Sequence, residues 1–196
     1  MEGGLRMVKL ITYPFIIFMK VGFHVDETWQ QIIKRKLVED RIQNIVFWGY
    51  NGTICRPLIV QEFVAIALEK NVIPKLVLSF TPSKYISKYI KRSKEFSVDG
   101  KRWFLLPNNV KVKGSKYAIV CHNLRKEDSW LDLDMYRVAC GKRKGTRLSQ
   151  YIRYRIDKAC AIYDDSCCHS VGKRVVKITY VADLKEPYAV FIRGFQ

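Results

Sequence analysis

Along this chain the apolar positions switch between a two-residue and a 3.6-residue repeat, and the switches mark out elements. "VKLITYPFIIFMKVGF", Val8 to Phe23, is dense in β-branched and aromatic residues. It predicts one long bent strand, or two short ones meeting at Pro14. Trp29, Ile32, Ile33 and Leu37 then recur at helical spacing behind Asp26, a suitable N-cap. A second strand over residues 45–48 stops at "GYNGT". The next segment, "PLIVQEFVAIALEK", predicts a helix with Pro57 at its first position and Asn71 at its end. That helix is apolar almost all round, so burial is expected. A third strand, "KLVLSF", runs into "TPSKYISKYIKR", where Thr81 caps and Pro82 opens a helix with Tyr85, Ile86, Tyr89 and Ile90 on one side.

The second half has a different texture. "FSVDGKRWFLL" carries an Asp99-Gly100 hairpin signal, and "VKVKGSKYAIVC" predicts a second hairpin around Gly114. "WLDLDMYRVA" alternates over Leu131, Leu133 and Met135, as a half-exposed strand does, with Asp132 and Asp134 on its wet face. Leu148, Ile152, Ile156, Ala159 and Tyr163 line up as the apolar face of one basic helix, and two closing strands, "VVKITYV" and "AVFIRGF", follow. The sum is an α/β protein. An N-terminal βαβαβα parallel, Rossmann-like unit over residues 1–95 precedes a β-rich α+β half over residues 96–196, the two sharing one mixed sheet.

Composition narrows the class of partner. With 48% hydrophobic residues in 196, a packed core is affordable and disorder is not the expectation. Lys and Arg number 35 against 18 acidic residues, a net charge of +17 that self-repels unless an anion is near. The excess leans to the C-terminal half: 15 basic and 9 acidic residues up to Gly100, 20 and 9 after it. Nucleic acid or a phosphorylated nucleotide is the natural partner. Glu2 and Pro14 spoil a secretory signal, and the apolar stretch around Pro14 is too short to span a bilayer, so no membrane role and a cytoplasmic location are expected. There, the six irregularly spaced cysteines are expected as thiols, and the Asn51-Gly52-Thr53 glycosylation sequon is incidental.

Two stretches combine charge with flexible backbone at helix starts, where unpaired N–H groups favour anions. In the first, Asn51, Gly52, Thr53 and Arg56 offer a turn, a hydroxyl and a bidentate cation, although each residue also suits a plain turn and helix start. In the second, "CGKRKGTRLSQYIRYRIDK", Lys142, Arg143, Lys144 and Arg147 surround two glycines, and Arg153, Arg155 and Lys158 continue the run among tyrosines. Basic residues interleaved with aromatics neutralise phosphates and stack bases. Neither stretch is a Walker loop or a dinucleotide fingerprint, and no motif names a cofactor.

Catalytic chemistry has thinner support. His24 stands beside Asp26 and Glu27 at a strand end, and His122 precedes Asn123, Arg125 and Glu127, so each is a candidate proton-transfer group. Cys55 beside Arg56 is a weaker candidate nucleophile. Cys121-His122 and Cys168-His169 lack the close ligand pairs of structural zinc, so no metal site is assigned. The expected function is binding of a polyanion, nucleic acid or a phosphorylated nucleotide. An enzyme acting on such a ligand, and a non-catalytic protein with an acidic protein partner, are the alternatives.

Overall fold

The computed structural model describes residues 9–21, 29–50, 55–79, 95–98, 101–104, 117–151, 159–164 and 175–191. The strands are β1 (Phe15–Lys20), β2 (Val46–Tyr50), β3 (Lys75–Ser79), β4 (Glu95–Val98), β5 (Lys101–Phe104), β6 (Tyr117–Asp132), β7 (Tyr136–Val138), β8 (Ala159–Asp164) and β9 (Val175–Phe191). The helices among the described residues are α1 (Trp29–Gln43), α2 (Pro57–Glu69) and α3 (Leu148–Tyr151). Seven strands form one mixed sheet in the order β2-β6-β9-β3-β1-β8-β7. Strands from both halves of the sequence therefore interleave in it. β4 and β5 pair separately, with Val98 opposite Lys101, as the Asp99-Gly100 signal requires.

The expected parallel unit is realised in one pair. β1 and β3 run parallel, Ile17 facing Leu76 and Phe18 facing Val77, with α1, β2 and α2 as the crossover between them. β2 does not join them. It lies at the far edge, antiparallel to β6, and because β6 and β3 both run against β9, β2 also runs against β1 and β3. The burial pattern supplies the reason: Val46, Trp48 and Tyr50 are buried while Phe47 and Gly49 are exposed. Such a one-faced strand suits an antiparallel edge, whereas a strand inside a parallel layer is buried on both faces. β3 is of that second kind, with Leu76, Val77 and Leu78 wholly buried in succession.

Two cores result. Ile17, Met19, Leu76 and Leu78 meet Ile32 and Ile33 of α1 and Val60, Phe63, Val64 and Ala67 of α2 on one face. Ile16, Phe18 and Val77 meet Leu131, Val138, Leu148 and Tyr151 on the other. α2 is buried along one stripe and not all round, since Leu58 is 75% exposed. The helix ends as expected. Asn71 adopts a left-handed φ of 56°, and the N–H groups of Asn71 and Val72 donate to the carbonyls of Leu68 and Ala67 at 2.9 and 3.0 Å, a Schellman closure.

Three further expectations are corrected. Residues 130–138 are not one alternating strand. β6 stops at Asp132, which is buried and whose Oδ1 accepts the Asp134 N–H at 2.9 Å. Asp134 in turn accepts the Ser149 hydroxyl, and the chain reverses into β7. Short Asp side chains capture N–H groups two residues on and so convert strands into turns. The basic helix does not take in the whole of its expected apolar face either: Ala159 and Tyr163 belong to β8, between β1 and β7. Free backbone groups on both neighbours draw the segment into the sheet and override its helical spacing. Finally, the two closing strands are one, β9, whose pairing with β6 continues through three register shifts. The helix expected after Thr81 and the hairpin around Gly114 lie outside the described residues, as do Ile152 and Ile156.

The packing makes a direct prediction. Phe63 has no exposed surface, and its ring centroid is 6.0 Å from that of Phe15. Phe63→Ala should cost about 3–5 kcal/mol of unfolding free energy, and Leu58→Ala, on the outer face, less than about 0.5 kcal/mol. Denaturant titration of both variants checks this.

Candidate anion-binding surface

After β7 the chain dives inward at Ala139 and Cys140, both buried, and then turns sharply outward. Gly141 makes that turn at a φ of 79°, a left-handed conformation costly for other residues. It also packs closely: a Cβ there would sit 3.7 Å from Cδ1 of Ile59, in the first turn of α2. Gly141–Arg143 forms one 3₁₀ turn, and Gly145, at a φ of 81°, brings the chain back.

Residues 141–147 are fastened at their base. The Gly145 N–H donates to Val138 O at 2.8 Å and the Val138 N–H to Thr146 O at 2.9 Å. Arg137 Nη1 donates to Gly145 O at 2.8 Å, and Arg137 pairs with Arg147 across an isolated bridge. This closure covers the outer edge of β7. Lys142, Arg143 and Lys144 are exposed on the crest and Arg147 is half-buried beside it. Among the described residues none of the four carries an ion pair.

The start of α2 meets this turn. Arg56 occupies the N-cap, exposed and without a side-chain cap, and Pro57 follows. Tyr50, at the end of β2, donates its hydroxyl to Cys55 O and so ties the helix start to the sheet. Burial pushes the Tyr50 hydroxyl far up, aided by Cys55 and Tyr117, so it remains a donor. Cys55 and Cys140 share the helical-face core. Thus Gly141, at the start of the basic turn, lies against Ile59, three residues beyond Arg56 in α2. Asn51, Gly52, Thr53, Arg153, Arg155, Lys158 and His24 lie outside the described residues.

His122 sits elsewhere, in a network that the sequence did not show. Its Nδ1 is 3.2 Å from Oδ1 of Asn44, just past α1. Asp40 of α1 accepts the N–H groups of Asn123 and Leu124 at 3.1 and 2.7 Å. Asp183 of β9 accepts from Lys75 Nζ at 2.6 Å, Asn123 Nδ2 at 2.8 Å and Arg125 Nη1 at 3.3 Å. Burial alone would raise the Asp183 carboxyl. The hydrogen bonds from Lys75 and Asn123 and the charges of Lys75 and Arg125 outweigh it and hold the carboxyl below the usual carboxylate range. These carboxylates are occupied in binding α1, β3, β6 and β9 together, and the side-chain partner of His122 is an amide.

Cys55, Cys121 and Cys140 are buried thiols. Burial raises the Cys121 thiol strongly, and burial with nearby Glu62 lifts Cys140 to about 11 against the opposing pull of Lys144. Among the described residues no group of three or more His, Cys, Asp or Glu side chains is placed to hold a metal. No family model, no curated protein and no solved structure matches the chain.

Two expectations follow for the chemistry of these groups. With iodoacetamide at pH 8, peptide mapping of the native protein should find Cys121 and Cys140 unmodified, because both are buried and protonated there. Asp183→Asn should cost about 2 kcal/mol at neutral pH. Because the folded-state pKa is lowered, that stabilisation is complete above about pH 4 and is lost as the pH falls further. The stability gap between variant and parent should therefore close in acid, which urea titrations from pH 7 to pH 2 would measure.

Proposed function

We propose that the protein binds a polyanion, nucleic acid or a phosphorylated nucleotide, on the surface formed by Lys142, Arg143, Lys144 and Arg147 together with Arg56. The observation that carries this is the set of exposed cations on the 141–147 turn that form no ion pair with a described carboxylate. Elsewhere the acidic residues already serve lysines and arginines: Glu39 holds Arg35 and Lys36, Glu127 holds Lys9, and Asp128 holds Lys177. Like charges crowded on one short turn repel, and the net +17 of the chain adds to that cost. An anion bound there relieves the repulsion and releases counterions. The fastened base of the turn lowers the ordering cost of binding.

Lys142, Arg143 and Lys144 replaced together by Ala should leave the fold intact, since all three side chains are exposed. Retention of the variant on a heparin or phosphocellulose column should end at clearly lower salt than that of the parent. Unchanged elution, with an unchanged circular-dichroism spectrum, would remove this surface from the account.

A further inference from the structure

The geometry of this surface bears on which anion it takes. A site for one nucleotide commonly cradles a phosphate with backbone N–H groups, at a helix start or in a nest of successive amides. Here several of those donors are already committed. The N–H groups of Lys144, Gly145 and Thr146 donate to Gly141, Val138 and Arg143 carbonyls at 3.0, 2.8 and 3.0 Å. Beyond the turn, the Ser149 N–H goes to Leu133 O, and those of Gln150 and Tyr151 go to Arg147 O. At the start of α2, Pro57 has no N–H, and Ile59 and Val60 both donate to Arg56 O, at 2.8 and 3.1 Å.

The cationic side chains stand on an exposed crest. Lys142, Arg143 and Lys144 are consecutive and exposed, so they fan outward and do not converge on one point. Long cationic side chains on a rigid crest match a line of phosphates better than a single one. Resting on the anion-binding reading above, we infer that the ligand is the sugar–phosphate backbone of a polynucleotide, bound without regard to base sequence, and not a free nucleotide. Base-specific contacts would need polar groups aimed into a groove. The crest offers point charges.

The test is fluorescence anisotropy with a labelled DNA duplex of about 20 base pairs, between about 50 and about 200 mM salt. ATP and inorganic phosphate serve as competitors. The expected result is binding that weakens steeply with salt and persists in millimolar ATP or phosphate. The variant with Lys142, Arg143 and Lys144 replaced by Ala should show a log–log salt slope shallower by about 2–3, since each phosphate contact contributes about 0.9. Arg143→Lys should bind within about twofold of the parent, because backbone tracking needs charge and not a bidentate clamp. Displacement of the duplex by ATP at matched phosphate concentration, or a large loss in Arg143→Lys, would overturn the polynucleotide assignment and leave the anion-binding reading standing. No binding of duplex or ATP at low salt, or a salt slope unchanged in the triple variant, would overturn the reading on which it rests.

Discussion

Leu76, Val77 and Leu78 of β3 follow one another with no exposed surface, and neighbouring strand residues point to opposite faces. The sheet must therefore be covered on both sides at its centre. α1 and α2 cover one side. The other is covered by the far end of β6, by β7 and by α3, elements that reach it because β6 and β9 are long and bent. The basic turn follows from this arrangement. Val138 enters one core while Ala139 and Cys140 enter the region of the other, so the chain between β7 and α3 must pass around the sheet edge. Gly141 and Gly145 permit that passage with their left-handed backbones.

The charges divide along the same geometry. Two described carboxylates hold elements together, Asp183 with Lys75 and Arg125 across β9, β3 and β6, and Asp40 with the backbone of the β6 register shift. Exposed pairs such as Arg35 with Glu39 add little stability. The Asp183 cluster is partly withdrawn from water and its members satisfy one another, so it contributes more. Residues 142–147 receive none of this neutralisation among the described residues. A surface left cationic inside a chain that is already strongly basic is kept at an electrostatic cost, which the proposed anion would offset.

Much of the element list was legible because it rests on short-range pattern. The first strands, both long helices, the Asn71 closure and the Asp99-Gly100 hairpin are each written in adjacent residues, as a period, a cap or a turn pair. The candidate surface was partly legible for the same reason, since Lys142, Arg143, Lys144 and Arg147 are neighbours in sequence. The Asp40, Asn44, His122 and Asp183 network was not, because its members lie far apart in the chain and make no local signal.

What the sequence determined by itself is where the chain can be helix, strand or turn, and how basic it is. Tertiary structure alone decided that β2 runs against β1 and β3, that residues 159–164 pair in the sheet despite their helical spacing, and that Gly141 of the basic turn packs against Ile59 in the first turn of α2. The physical reason is common to all three. Periodicity reports which face of an element is apolar, whereas strand direction, pairing and distant contacts depend on which neighbours offer unpaired backbone groups and unfilled core.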